Sequence, residues 1–330
     1  MSVPKVVVPA RFTAISGLHE KLVAAGFRVE TAGSMEQPWT PEQLIDVIAD
    51  ADAAIISPGQ PVPAEVLRAA PSLRMVSSPV VGVDHIDVDA ATELGIVVAN
   101  CPTDEIIIGM AEATVMLMVA LLLQLERKQA TMRAGNWRPP TTSTLLRHKT
   151  VGLIAYGRIA RAVEQRLQGW EVTIQAYDPY VPNTVTLETL LTTSDVISIH
   201  TPRTKDTPGM IGRRELAMMK PTAILINTSR GGVIDEAALA EAIDGGQIAG
   251  AALDVFEQEP IDMGNPLFRC DPNRVILTPH NIGHNVESGP AGAELAFQNV
   301  ARVLEGELPA NVENKEVIPR WRERFSGGAS

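Results

Sequence analysis

The sequence predicts an α/β protein built from doubly wound parallel sheets. Short apolar segments that end in polar or glycine-containing turns alternate with helical patterns along the chain, and this alternation is typical of strands that are covered by helices. The 330 residues are 45% hydrophobic, which is enough to bury two cores, so we expect two domains. Ligands of such sheets bind at the carboxyl ends of the strands.

The first hundred residues form the smaller of the two predicted domains. Its predicted strands cover residues 5–9, 53–57, 74–77 and 96–99, and its helical patterns cover residues 41–49 and 64–69. A long helix near residues 105–133 leads into the second domain, and another near residues 287–306 leads back. We therefore expect a discontinuous smaller domain at residues 1–100 and 287–330, around a larger one at residues 101–286.

A turn after the predicted strand that begins at Thr150 is the first candidate binding site. The segment Ala155-Tyr156-Gly157-Arg158-Ile159-Ala160 connects this strand to a helix that begins at Arg158. The first backbone N–H groups of that helix would point at the pyrophosphate of a dinucleotide. By itself the turn is also compatible with an ordinary strand-to-helix connection.

Asp178 follows the next predicted strand, residues 172–177. It lies about 20 residues past the turn, where a carboxylate can accept hydrogen bonds from ribose hydroxyls. No arginine follows it directly, and a carboxylate repels a 2′-phosphate, so we expect NAD rather than NADP. The alternative is an aspartate that only opens a turn before Pro179.

Three side chains near the ends of later apolar segments suggest a reaction. They are Arg230 in Thr228-Ser229-Arg230-Gly231-Gly232, Glu259 before Pro260, and His280 after Pro279. An arginine fork suits a substrate carboxylate and carbonyl, a histidine holds and releases a proton near neutral pH, and a carboxylate beside an imidazole favours its protonated form. Each residue alone could be a surface, capping or structural group. Together they are the parts needed to reduce a 2-oxo acid.

The order Arg230, Glu259, His280, after the turn at Gly157, resembles the D-isomer-specific 2-hydroxyacid dehydrogenase family. This resemblance implies a Rossmann-type NAD-binding domain and a flavodoxin-like substrate domain. It also implies an NAD-dependent enzyme that interconverts a small D-2-hydroxy acid and its 2-oxo acid, as a homodimer. The implied cofactor site is lined by Gly157, Arg158, Ile159, Asp178, Thr201, Pro202, Thr228, Ser229, Asp254 and Gly283. Asp254 would contact the nicotinamide carboxamide.

The loop at residues 79–87 resembles the family's substrate loop, in which the backbone amides of Val81 and Gly82 would bind the substrate carboxylate. Gly82 could instead serve only to make a turn. The chain departs from the family pattern at five places. They are Ala155 and Ala160, which replace glycines of the family's G-x-G-x-x-G, Ala113, which replaces a histidine, and Asn281 and His284-Asn285, which replace aliphatic and small residues. Ala155 puts cofactor affinity in doubt because the first glycine makes the tight turn.

Composition argues against several other classes of protein. The net charge of −11 gives no support for nucleic acid or membrane-surface binding. Two cysteines suggest a reducing compartment, and the first apolar run is too short for a signal peptide, so we expect a cytoplasmic protein. The apolar stretch at residues 113–123 is shorter than the roughly 20 residues of a membrane span and predicts a buried helix. His280, His284 and Glu287 could suggest a metal site, but Gly283 interrupts a helix there, and we expect no metal.

The expected substrate follows from the absence of basic residues at two places in the sequence. Phosphoglycerate dehydrogenases, which the chain also resembles, place arginines where this sequence has Ile56-Ser57-Pro58 and Ser77-Ser78-Pro79. Burying a phosphate without a paired charge is unfavourable, so we expect an unphosphorylated substrate such as glyoxylate, hydroxypyruvate or a small aliphatic 2-oxo acid. Arg74 or another basic residue that reached the substrate would instead permit a phosphate. The alternatives are a phosphoglycerate dehydrogenase, a non-catalytic dinucleotide sensor similar to the family's corepressors, and a metal-dependent hydrolase.

Overall fold

A computed structural model of the chain describes residues 3–9, 17–32, 38–138, 140 and 142–325. The chain divides into two compact units. The first unit combines Met1–Ile106 with Asn285–Ser330, and the second is the continuous segment Ile107–His284. The first unit is therefore assembled from both ends of the chain, and it contains the predicted substrate loop, whereas the second contains Arg230, Glu259 and His280.

The described residues form eleven strands in two sheets. The strands are β1 Lys5–Pro9, β2 Arg28–Ala32, β3 Ala53–Ile55, β4 Met75–Ser77, β5 Val97–Ala99, β6 Thr150–Ile154, β7 Thr173–Tyr177, β8 Val196–Ile199, β9 Ile224–Asn227, β10 Gly250–Leu253 and β11 Val275–Leu277. The first unit holds a five-stranded sheet in the order β2-β1-β3-β4-β5, and the second a six-stranded sheet in the order β11-β10-β9-β8-β6-β7. All nine strand pairings are parallel.

Twelve α-helices connect and cover these strands within the described part of the chain. They are α1 Leu18–Ala24, α2 Pro41–Ile48, α3 Ala64–Arg68, α4 Val88–Leu94, α5 Asp104–Leu122, α6 Leu125–Arg133, α7 Arg158–Arg166, α8 Leu187–Thr193, α9 Arg213–Met218, α10 Glu236–Asp244, α11 Ser288–Leu304 and α12 Ile318–Phe325. Each sheet has a hydrophobic core on both faces, so each unit carries two core clusters. Burial on both faces explains why most strands read as continuous apolar runs.

The flavodoxin-like expectation for the first unit is confirmed, because the strand order 2-1-3-4-5 is that of flavodoxin. One strand of this sheet, β2, was absent from the sequence prediction. Its sequence Arg-Val-Glu-Thr-Ala alternates polar and apolar residues, and it pairs only with β1 at the edge of the sheet. An edge strand needs no continuous apolar run, so the pattern used for the other strands does not identify it.

The single long helix expected near residues 105–133 is wrong. The structure has two helices, α5 and α6, and Gln124 between them adopts a left-handed backbone conformation with φ 52°. This conformation interrupts the helical hydrogen-bond ladder. Helix α5 begins at Asp104 and has 19 residues, which is long and apolar enough to cross a membrane by length and composition alone. The length argument drawn from residues 113–123 therefore fails. A buried core helix passes the same test, and Leu117 and Met118 of α5 lie in the core of the second unit.

The site is positioned by the point where the strand order of the second sheet reverses. The chain runs from β6 outward to β7 and then returns to β8 on the other side of β6. The connections after β6 and β8 therefore leave in opposite directions and open a crevice at the carboxyl edge of the sheet. The turn at residues 155–157 and the segment at residues 200–202 follow these two strands.

Candidate active site

The turn after β6 keeps the conformation of a glycine turn although its first glycine is missing. Ala155 has φ 65°, in the left-handed region that glycine adopts without strain. Its N–H donates to the carbonyl of Tyr177 at 2.8 Å. A β-carbon in this conformation is crowded by its own backbone, which costs about 1–2 kcal/mol. The turn is therefore formed, at a cost in backbone strain.

Gly157 precedes helix α7 and leaves room for a ligand. A β-carbon built on Gly157 would meet no atom within 4 Å, so the space above the start of the helix is open. No side chain caps this helix within the part of the chain that the structure describes. The start of a helix attracts an anion through its backbone N–H groups and its dipole. These features are compatible with the pyrophosphate of a dinucleotide, and its contact with Arg158 and Ile159 stays a prediction.

Asp178 lies directly after β7 and holds the same turn in place. Its Oδ2 accepts a hydrogen bond from the N–H of Tyr156 at 2.8 Å, and its Oδ1 accepts one from the N–H of Tyr180 at 2.9 Å. The second bond is the turn-opening contact that was the alternative reading of this residue. Each carboxylate oxygen has two lone pairs, so both oxygens retain capacity for ribose hydroxyls.

The segments after β8 and β9 bring further predicted residues to the carboxyl edge of the sheet. Thr201 directly precedes Pro202 and is nearly buried. Thr228 is also buried, and its hydroxyl lies 3.0 Å from that of Thr114 on α5. Ser229 donates through its hydroxyl to Asn227 Oδ1 at 2.8 Å. These contacts fix the segment from which Arg230 projects.

Asn227 and Gly231 were missed by the sequence analysis. Asn227 is buried, and its side-chain amide donates to the carbonyl of Arg230 at 3.0 Å. A β-carbon on Gly231 would lie 1.7 Å from the carbonyl oxygen of Phe256. Only glycine therefore allows the Arg230 segment to approach the backbone at residues 256–257, just before Glu259. The sequence signal for this role was the Gly231-Gly232 pair itself.

Glu259 and His280 form an ion pair. His280 Nδ1 donates to Glu259 Oε2 at 2.6 Å, and Glu259 Oε1 accepts from the N–H of Phe256 at 2.9 Å. His280 has φ 52°, a strained conformation of the kind that clusters at functional sites. Because Nδ1 is occupied by the carboxylate, Nε2 is the ring nitrogen that can serve a substrate.

The charges around the imidazole favour its protonated form. The hydrogen bond to Glu259 raises the pKa of His280, against the opposing effect of burial, and the charge of Asp254 acts in the same direction as Glu259. Burial raises the pKa of Glu259, but the hydrogen bonds from His280 and Phe256 outweigh it and hold that pKa below its ordinary value. The charge of Arg230 lowers both pKa values. His280 therefore keeps a proton to a higher pH than a free histidine.

Asp254 supports the turn that carries His280. Its side chain is fully buried, and Oδ1 accepts hydrogen bonds from Thr278 Oγ1 at 2.6 Å and from the N–H groups of Asn281 and Ile282 at 3.1 and 3.2 Å. These contacts point into the protein, whereas the resemblance implied a contact with nicotinamide, which stays a prediction. Gly283 packs on α5, where an added β-carbon would lie 2.7 Å from Met110 Cε.

The predicted substrate loop lies in the first unit, directly after β4. The side-chain amide of Asn100 donates to the carbonyl of Val81 at 2.9 Å, and the N–H of Cys101 donates to the carbonyl of Val80 at 2.9 Å. Val81 and Gly82 are half-buried. The loop is therefore held at its base, and the assignment of its amides to a carboxylate stays a prediction.

His284 lies four residues after His280 and could suggest a metal site together with His280 and Glu287. Partial burial of its ring and the nearby charge of His280 lower the pKa of His284. Within the described residues, no group of three or more His, Cys, Asp and Glu side chains is arranged to hold a metal ion. The sequence departures at Asn281 and His284 thus place polar side chains beside His280.

Comparison with known proteins identifies the family of the chain. Residues 115–281 match the family described as D-isomer specific 2-hydroxyacid dehydrogenase, NAD binding domain. A glyoxylate reductase of Thermofilum pendens is 41% identical over 303 residues, which are 86% of this chain and 88% of that protein. A D-3-phosphoglycerate dehydrogenase of Methanocaldococcus jannaschii is 38% identical over 316 residues, which are 92% of this chain but only 59% of that protein.

Solved structures give the same result. The TT0316 protein of Thermus thermophilus has a TM-score of 0.81 and 32% identity, with 94% of this chain and 99% of that chain covered. An NADPH-dependent glyoxylate/hydroxypyruvate reductase of Sinorhizobium meliloti has a TM-score of 0.82 and 27% identity, with 95% and 98% covered. The chain therefore belongs to the D-isomer-specific 2-hydroxyacid dehydrogenase family of nicotinamide-dependent oxidoreductases.

Proposed function

We propose that this protein reduces a small, unphosphorylated 2-oxo acid to the D-2-hydroxy acid with NADH. The observation that carries the proposal is the 2.6 Å pair of His280 and Glu259, in a segment that packs against the Arg230 turn. Corepressors of this family can retain the same residues, so incubation with NADH and a panel of 2-oxo acids, and not the pair itself, distinguishes the enzyme from the corepressor-like alternative.

Each side chain has a separate part in the reaction. Arg230 binds the substrate carboxylate and polarises the carbonyl, because its fork is always charged and planar. His280 holds a proton at Nε2 and gives it to the carbonyl oxygen as negative charge develops there. Glu259 orients the ring through Nδ1 and stabilises its charge. The dinucleotide, when bound, supplies the hydride.

Asp178 supports NADH as the preferred cofactor. Its carboxylate lies at the end of β7 beside the dinucleotide turn, where it accepts from ribose hydroxyls and repels a 2′-phosphate. The Sinorhizobium meliloti reductase is NADPH-dependent, so the fold by itself does not decide the cofactor. Titration of NADH and NADPH fluorescence tests the preference. Tighter binding of NADPH would overturn the Asp178 assignment.

The surroundings of β4 support an unphosphorylated substrate. Ser77 and Ser78 are fully buried, and no cation stands at residues 56–58 or 77–79. Arg74 precedes β4, at the opposite end of the strand from the predicted substrate loop, and its guanidinium lies over the ring of Phe325 and 3.9 Å from Asp52. A higher kcat/KM for 3-phosphohydroxypyruvate than for hydroxypyruvate would contradict this choice.

We also propose a cytoplasmic homodimer that forms through the second unit. Several large apolar side chains near α5 and α6 are exposed there, namely Met116, Leu123, Leu125, Met132 and Trp137. Exposed apolar side chains that are close in sequence mark a candidate interface. Both cysteines are unpaired and buried, which fits a reducing compartment. Sedimentation as a monomer at micromolar concentration would contradict the dimer.

A further inference from the structure

A buried carboxylate in the second unit has no part in the reaction described above. Glu236 begins helix α10, directly after its capping residue Asp235, and only 6% of it is exposed. A buried carboxylate is unfavourable unless it accepts hydrogen bonds. The hydrogen-bond donors to Glu236 therefore show which segment of the chain the carboxylate holds in place.

Both oxygens of Glu236 accept hydrogen bonds from the segment that contains Glu259. Oε1 accepts from the N–H of Glu257 at 2.6 Å, and Oε2 accepts from Asn265 Nδ2 at 2.5 Å. Asn265 Oδ1 accepts from the N–H of Leu267 at 3.0 Å, which fixes the amide with its nitrogen toward Glu236. The carboxylate thus joins both ends of the loop between residues 257 and 265.

Two consecutive N–H groups of this loop hold two different carboxylates. The N–H of Phe256 donates to Glu259, whereas the N–H of Glu257 donates to Glu236. The peptide group between Phe256 and Glu257 is also in contact with Gly231 through its carbonyl. If Glu236 released this peptide, the neighbouring N–H that orients Glu259 would lose its fixed direction.

We propose that Glu236 is a positioning residue, whose buried carboxylate fixes the peptide between Phe256 and Glu257 and so holds Glu259 against His280. The inference rests on the proposed function, because the group that Glu236 positions indirectly, His280, is the proton donor of that reaction. Glu236 acts on His280 only through Glu259. The other charged or titratable groups that face His280 are Asp254, Arg230 and His284, and none of these is held by Glu236 in the contacts described above.

The test compares Glu236→Ala and Glu236→Gln with Glu241→Ala, which removes an exposed carboxylate of the same helix that pairs with Arg213. Reduction of hydroxypyruvate by NADH is measured as a function of pH. We expect Glu236→Ala to lower kcat by about tenfold at neutral pH, with KM for hydroxypyruvate changed by less than about twofold. The alkaline limb of its pH profile should move to lower pH. Glu236→Gln keeps an acceptor for Glu257 and should recover most of the loss.

The imidazole signal of His280 in an NMR titration gives a second readout that does not depend on turnover. Its assignment comes from the spectrum of His280→Ala. We expect the pKa of His280 to fall in Glu236→Ala and to stay unchanged in Glu241→Ala. An unchanged pKa in folded Glu236→Ala, or in Glu236→Met, which also lacks an acceptor, if the alanine variant does not fold, would overturn the proposal. If the wild type titrates as expected but reduces no 2-oxo acid, the proposed function fails and the positioning role stands.

Discussion

Two turns of the second unit each contain a position that favours glycine, for different physical reasons. Only one of these two positions is occupied by glycine. The turn between β6 and α7 needs a left-handed backbone, and the chain places Ala155 there with φ 65°. The connection between β9 and α10 needs space, and Gly231 provides it, because a β-carbon would lie 1.7 Å from Phe256 O. A strained conformation costs about 1–2 kcal/mol, whereas an overlap with backbone requires the backbone to move. The chain can tolerate the first replacement but not the second.

Gly231→Ala should have the largest effect of any change at these turns. The backbone at residues 256–257 must shift to admit the new β-carbon, and Glu259 shifts with it. A misplacement of about 1 Å near an active site costs on the order of 10²-fold in rate, so we expect kcat to fall by that factor. Steady-state kinetics check this, with circular dichroism to confirm a folded variant. A kcat within about twofold of wild type would show that the two segments do not depend on each other.

Glu259→Gln tests the ion pair that the Gly231 contact positions. Glu259 raises the pKa of His280, so the wild-type donor stays protonated to higher pH. Loss of the carboxylate lowers that pKa, and the alkaline limb of the kcat profile should move to lower pH, with activity kept at low pH. Glu257→Gln, at an exposed neighbouring position, is the control. An unchanged profile would remove Glu259 from its assigned role.

Gly157→Ala tests whether the space beside Gly157 is needed for the cofactor and not for packing of the protein itself. The new β-carbon meets no protein atom within 4 Å, so the free energy of unfolding should change by less than about 0.5 kcal/mol. The same methyl group lies where the backbone approaches a pyrophosphate. We expect the Kd for NADH to rise by about tenfold or more. Unchanged NADH affinity would place the dinucleotide elsewhere.

Ala155→Gly should have the smallest effect, and a favourable one. Relief of about 1–2 kcal/mol of strain is partly offset by the greater freedom of glycine in the unfolded chain, about 0.4–1 kcal/mol. The net gain in unfolding free energy is expected at roughly 1 kcal/mol or below, with tighter NADH binding. Ala160→Gly restores another family glycine, but in a buried helical position, where it should destabilise by roughly 1 kcal/mol. Stabilisation by both or by neither would contradict the strain argument.

The sequence predicted those features that depend on local pattern or on the chemistry of single residues. Buried parallel strands such as β6 and β9 are continuous apolar runs, and Arg230, Glu259 and His280 stand out by type and order. Glu236 and Asn227 could not be identified in this way. Glu236 accepts a hydrogen bond from a residue that is distant in sequence, and the role of Asn227 depends on its burial and on its hydrogen bond to the carbonyl of Arg230. The inward contacts of Asp254 were likewise invisible before the turn at residues 278–282 was in place.

The measurement that tests the central claim most directly is NADH oxidation with hydroxypyruvate and glyoxylate by the wild type, His280→Ala and Arg230→Ala. The wild type should reduce at least one of these acids. His280→Ala should lower kcat by about 10²-fold or more with little change in KM, because only the proton donor is lost. Arg230→Ala should raise KM and lower kcat together. Near wild-type turnover by His280→Ala would contradict the assignment of the His280–Glu259 pair as the centre of the reaction.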